Sequence, residues 1–170
     1  MQNSDGESVE PGDTLKSIKD KLSAKNIYLS EETINNKPTI IGYEKRFKLK
    51  WMATQLNTFI VAADFGDNNV TEQTIEDFFA RAFKYAKKNY RGWPRGLQSG
   101  LAVIGILISK NIDQSAISYC QKLKAGKKYS GFAIPVTIDP STNQVYYFNK
   151  KPIWGKIYYP HFEKMINDLT

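Results

Sequence analysis

A chain of 170 residues with 41% hydrophobic and 24% charged side chains has the size and balance of one globular domain, able to bury roughly 70% of its unfolded surface in a single core. Its one cysteine, Cys120, excludes an internal disulfide and a cysteine-based zinc site, and no apolar run approaches the ~18 residues of a membrane span. The amino terminus has neither a positive region nor an apolar core, so the reading is a soluble, cytoplasmic protein without a membrane partner.

The net charge of +7 is unevenly placed. Residues 14–170 hold all 24 Lys and Arg against 13 acids, and from Lys84 to Lys128 ten basic residues stand with one acid, Asp113. Such a field favours an anionic ligand, nucleic acid or an acidic protein; the bland alternative is lysine-rich helix ends that keep the chain soluble.

Residues 1–13 carry Asp5, Glu7, Glu10 and Asp13, no cation, and a closing Pro11-Gly12, which predicts a disordered acidic leader in front of one domain over 14–170. Thr14 is placed as the cap of a first helix bearing Leu15, Ile18 and Leu22. After Asn35-Asn36-Lys37-Pro38, Thr39 to Tyr43 reads as a short strand, followed by an extended stretch from Arg46 to Phe65. Phe47, Leu49, Trp51 and Ala53 alternate with lysines there, the run Thr58 to Ala63 is apolar on both faces, and a break near Gln55 to Asn57 divides the two.

Thr71 opens the clearest helix, with Ile75, Phe78, Phe79, Ala82, Phe83 and Ala86 on one stripe. Leu101 to Ser109 predicts a central buried strand. Asp113 caps a helix whose inward face is Ala116, Ile117, Cys120 and Leu123 and whose stop is Gly126. Phe132 to Asp139 and Val145 to Phe148 form a hairpin across Pro140-Ser141-Thr142-Asn143, and Pro135 puts it at or near a sheet edge. Pro160 begins a last helix bearing Phe162, Met165, Ile166 and Leu169. The expectation is an α+β single domain of order α-β-β-β-α-β-α-β-β-α, with a mixed sheet of five to six strands and helices packed on it; the helical crossovers flanking Leu101 to Ser109 predict parallel pairing.

Functional residues concentrate in Arg91 to Gly100, whose glycines let the backbone approach a ligand and whose Arg91 and Arg95 could clamp a phosphate or carboxylate. Gln98 and Ser99 complete its polar set, and Lys127 and Lys128 add charge. The structural alternative is a glycine-capped helix end, with Trp93 on the core and the arginines on carbonyls. Arg91-Gly92-x-Pro94-Arg95-Gly96-x-Gln98-Ser99-Gly100 and Pro152-Ile153-Trp154-Gly155-x-Ile157-Tyr158 resemble a pattern carried by small uncharacterised bacterial and archaeal proteins, over roughly Tyr43 to the carboxyl terminus. That resemblance implies no activity.

A binding domain engaging an anionic partner through a basic face, with no catalytic residue, metal or cofactor, is therefore the first expectation. The rival is an enzyme on phosphate esters, such as a magnesium-dependent nuclease with Asp64 and Asp139 as metal ligands at strand ends; the Glu-x-Lys such an enzyme carries on the following strand is absent. Val145 to Phe148 and Trp154 to Tyr159, beside Lys150, Lys151 and Lys156, interleave aromatic and cationic groups as nucleic-acid surfaces do, and also as strand pairs do. His161 has no visible nucleophile or acid partner and is assigned to packing or surface, and Cys120 to the core.

Overall fold

The computed structural model describes residues 9–94, 98–124 and 128–170. Its elements are α1 (Pro11–Ala24), β1 (Tyr28–Ile34), β2 (Lys37–Lys48), a 3-10 turn at Leu49–Trp51, β3 (Thr54–Gly66), α2 (Glu72–Lys88), β4 (Ser99–Ser109), α3 (Gln114–Lys122), β5 (Phe132–Asp139), β6 (Gln144–Tyr146) and α4 (Tyr159–Leu169). Six strands lie in the order β1-β2-β3-β4-β5-β6; β3, β4 and β5 are parallel and the outer pairs antiparallel. Successive side chains of a strand point to opposite faces, so even positions of β3 and β4, such as Ile60 and Ile104, meet Leu22 of α1 and Phe162 of α4. Odd positions, such as Phe59 and Val103, meet Phe79 of α2 and Cys120 of α3.

The element order is the expected one, yet its first strands are different segments. Asn35-Asn36 is the turn of a hairpin and not a break before one: Ile34 pairs with Lys37, and both asparagines are left-handed, at φ 56° and 58°, as a type I′ turn requires. β1 escaped notice because it is an edge strand with Glu31 and Glu32 in its exposed middle and little alternation. The division between the next two strands falls at 49–53, not at Gln55 to Asn57, because Trp51 leaves the extended path to pack against Tyr158 and His161, at ring-centroid distances of 5.4 and 5.1 Å.

Helix α1 starts at Pro11 with Glu10 at its cap position, so Pro11 to Asp13 belong to the helix and Thr14 is not its cap. A fixed φ suits proline to the first helical turn, and Pro11 is buried. Helix α2 has the expected cap: Thr71 Oγ1 accepts from Thr74 N at 3.2 Å while Thr71 N donates to Thr74 Oγ1. Asp113 caps α3 by accepting from Ser115 N at 2.8 Å, and that helix ends on left-handed Leu123, with the expected stop, Gly126, outside the described residues. Tyr119, not Ile117, fills its inward face.

Pro135 pairs only with Gly105 of β4, because β6 reaches no further than Thr137 to Asp139; its missing N–H costs no ladder bond. Beyond β6 the chain leaves the sheet, and Phe148 turns inward beside Tyr159.

Candidate functional site

Strand directions give the sheet two unlike edges. β2 ends where β3, β4 and β5 begin, so the β2–β3, α2–β4, α3–β5 and β6–α4 connections gather at one edge. Lys45, Arg46, Lys48 and Lys50 approach it on the first, Lys87, Lys88 and Arg91 on the second, and Lys150, Lys151 and Lys156 on the last, with no Asp or Glu in 45–63, 78–112 or 140–162. Arg46 pairs with Glu44 at 2.6 Å and Lys151 with Glu163 at 2.7 Å. Burial, and after it the nearby charges of Lys50 and Arg46, lowers the Lys48 pKa from the ordinary lysine value.

The same edge carries the exposed apolar groups. Among the described residues every exposed large hydrophobic except Val9 is here: Phe47, Leu49, Met52, Trp93, Ile153, Trp154 and Ile157. Between them runs a groove with a cavity volume of about 1060 Å³. Gln98 to Leu101 and Ser130 to Phe132 form one side, Ile153 to Tyr158 the other, and Met52 and Thr54 one end. Of the two segments that carry the sequence resemblance, Gln98 to Gly100 and Ile153 to Tyr158 thus meet in one place. Gly155 makes this possible: its φ is 70°, and a Cβ there would stand 2.8 Å from Phe132 Cζ and closer still to Cε1.

The α2–β4 connection is held by buried amides. Asn57, fully buried on β3, donates from Nδ2 toward Gln55 Oε1, Tyr90 OH, Ser99 Oγ and the Gly100 carbonyl at 3.2 to 3.4 Å, and accepts from Tyr43 OH at 2.6 Å. Gln55 Oε1 takes Trp93 N at 3.0 Å, and Tyr90 OH donates to the Trp93 carbonyl at 2.7 Å. The helix therefore ends on Asn89, which bonds the Tyr85 carbonyl through both N and Nδ2, and not on a glycine. Trp93 does not pack on the core; it leans on Phe47 at the surface, centroids 5.9 Å apart. Two amides, Gln55 and Asn57, in a strand that is mostly apolar were the signal of this network in the sequence.

Of the expected ligand-binding residues, Arg91 is exposed at this edge, Gln98 is exposed on the groove, and Ser99 joins groove and network. Arg95 and Lys127 lie outside the described residues. Lys128 is 3.0 Å from Glu76 on the flank of α2 and does not line the groove.

At the opposite edge the acids are committed to backbone. Asp64 Oδ1 accepts from Gly66 N at 2.7 Å, and Asp139 Oδ1 from Ser141 N at 2.9 Å. Burial works to raise the Asp139 pKa, but the bonds from Ser141 and Thr142 outweigh it and the net shift is downward. Asp64 lies beside Gly12 of α1, whereas Asp139 lines a smaller cavity with Asp113 and Ile117 on the α3 side, so the two acids occupy opposite faces of the sheet with β4 between their strands. Among the described residues no group of three or more His, Cys, Asp or Glu is placed to hold a metal.

His161 has a partner that the sequence did not reveal. Its Nε2 lies 2.9 Å from Glu44 Oε2, both side chains nearly buried, with the atoms close but not aligned as a hydrogen bond. Burial would raise the Glu44 pKa; His161 and Arg46 override it and hold it below the ordinary glutamate value. Cys120 is buried, and burial pushes its thiol up to about 12.

No family model, no curated protein and no solved structure matches the chain. Its chemistry is read from its own geometry.

Proposed function

We propose that this domain is a binding module, without catalysis of its own, that docks an anionic partner on the basic, apolar edge of its sheet. The observation that carries this reading is the coincidence of two surfaces: among the described residues, the exposed large apolar side chains other than Val9 and the lysines of three connections share the edge around one groove. Apolar groups grouped in this way mark an interaction surface, and an excess of cations over acids selects the sign of what meets it. Acids committed to turns and facing opposite ways give a phosphate-ester enzyme no support.

Retention on heparin in a salt gradient tests the reading. Lys45→Glu, Lys50→Glu and Lys156→Glu together should elute at markedly lower salt than the unaltered chain, while Lys37→Glu and Lys110→Glu at the other edge should elute nearly unchanged. Equal effects from both sets would replace a directed edge by diffuse charge. Incubating RNA and DNA with the protein and Mg²⁺ should leave both intact; cleavage would restore the nuclease.

A further inference from the structure

The exposed apolar side chains of the basic edge do not all stand alike. Phe47 and Trp93 lean on each other, and Trp154 stacks on Phe132 at 4.8 Å, whereas Leu49, Met52 and Ile153, at 79%, 80% and 96% exposure, project into solvent from two connections, Met52 and Ile153 from the rim of the groove they line. A site for a peptide or a base buries its apolar groups in its walls. Side chains that protrude from loop tips call instead for an apolar medium to enter. Lys50 follows Leu49 and Lys156 precedes Ile157, both lysines exposed, so long cationic stems stand next in the chain to protruding carbons, while the Lys48 ammonium lies over the Trp51 ring at 4.6 Å. Trp93 and Trp154 are half-exposed at the same edge, and indole rings favour the level of lipid headgroups.

We propose that the anionic partner is a negatively charged lipid surface, into whose headgroup–acyl boundary Leu49, Met52 and Ile153 insert while Lys50 and Lys156 meet the headgroups. This rests on the binding reading above and narrows it to one partner. A second copy of the chain fits less well, because a two-fold contact through this edge would press like charges together. Single-stranded nucleic acid would use aromatic faces and leave three protruding aliphatic groups without a role. This departs from the sequence expectation of no membrane partner, which rested on the lack of an apolar run or leader; among the described residues no helix is long and apolar enough to cross a membrane, and surface docking needs none. Acids at the far edge orient the molecule with its basic edge toward a negative surface.

The full chain is sedimented with vesicles of phosphatidylcholine alone and of phosphatidylcholine with phosphatidylserine, with a single-stranded RNA titration and the heparin column run in parallel. Sedimentation with the serine-containing vesicles only is expected, together with a blue shift of tryptophan fluorescence. Each of Lys50→Gln and Lys156→Gln should weaken partition roughly fivefold. The combined Leu49→Ser, Met52→Asn, Ile153→Ser variant should weaken it roughly tenfold or more and abolish the blue shift, with its thermal transition retained because all three positions are exposed. Vesicle binding that ignores this variant would overturn insertion. No vesicle binding, with heparin retention still dependent on Lys50 and Lys156, would overturn the lipid partner and leave the binding reading standing; tight RNA binding in that case would name nucleic acid instead. Loss of heparin retention as well would remove both.

Discussion

At one edge of the sheet, β1 turns into β2 through Asn35 and Asn36; at the other, the chain enters β3 through Met52 and Ala53. Both pairs are left-handed, at φ 56° and 58° against 55° and 54°. Asparagine accepts that conformation because its short amide can bond locally, whereas a methionine or alanine there carries roughly 1–2 kcal/mol of strain. The first turn is chosen for the fold. The second holds a strained backbone and presents a methionine to solvent, in the connection that also exposes Leu49. The acids divide in the same way, closing turns and caps at the asparagine edge and being absent from the connections of the other.

The largest break in this comparison comes from two left-handed glycines. Gly66→Ala, at the acidic edge, has φ 58° and nothing within 4 Å of the new methyl, so it should cost only about 1 kcal/mol. Gly155→Val adds a collision with the Phe132 ring and should cost about 2–4 kcal/mol, read from urea midpoints at constant slope. Equal losses would mean that the groove is not held by this close approach.

Asn57→Leu leaves Tyr43, Gln55 and Ser99 without their buried amide and should destabilise by about 2–3 kcal/mol. Faster hydrogen exchange confined to 90–100 should accompany it. A stability loss without that local change would detach the network from the connection it is assigned to hold.

Glu44→Gln should cost about 1–2 kcal/mol at neutral pH. Because the folded carboxyl titrates below its unfolded value, its contribution is present above roughly pH 4.3 and is lost as pH falls through the folded value; the difference between variant and unaltered chain should shrink in acid. A difference constant down to the acid limb would exclude the Glu44 charge as its cause.

The smallest stability effect is the most discriminating between the edges. Met52→Asn should stabilise the fold by about 0.5–1 kcal/mol by relieving the left-handed methionine, while weakening vesicle binding. Stabilisation with vesicle binding unchanged would make the exposed methionine incidental.

Much of the fold was legible because its signals are local. The 3.6-residue stripe of α2, the unbroken apolar run of β4, Asp113 at a helix start and Pro135 beside a short edge strand each act over a few neighbours, and each appears where expected. Met52 and Trp51 show the limit: period-two alternation predicted strand through both, but a pocket formed by Tyr158 and His161, more than a hundred residues away, draws Trp51 inward and turns Met52 out. The candidate site was legible only in halves, Gln98 to Gly100 within one marked segment and Ile153 to Tyr158 within another.

The sequence alone determined the α+β class, the element order and the excess of positive charge, since periodicity, capping and composition need no knowledge of distant partners. Tertiary structure decided that the two halves share a groove, that Asp64 and Asp139 face apart, and that cations and exposed apolar groups gather at one edge. The physical reason is that side-chain convergence depends on which strands pair and in which direction, and those choices are made by the burial of a whole sheet.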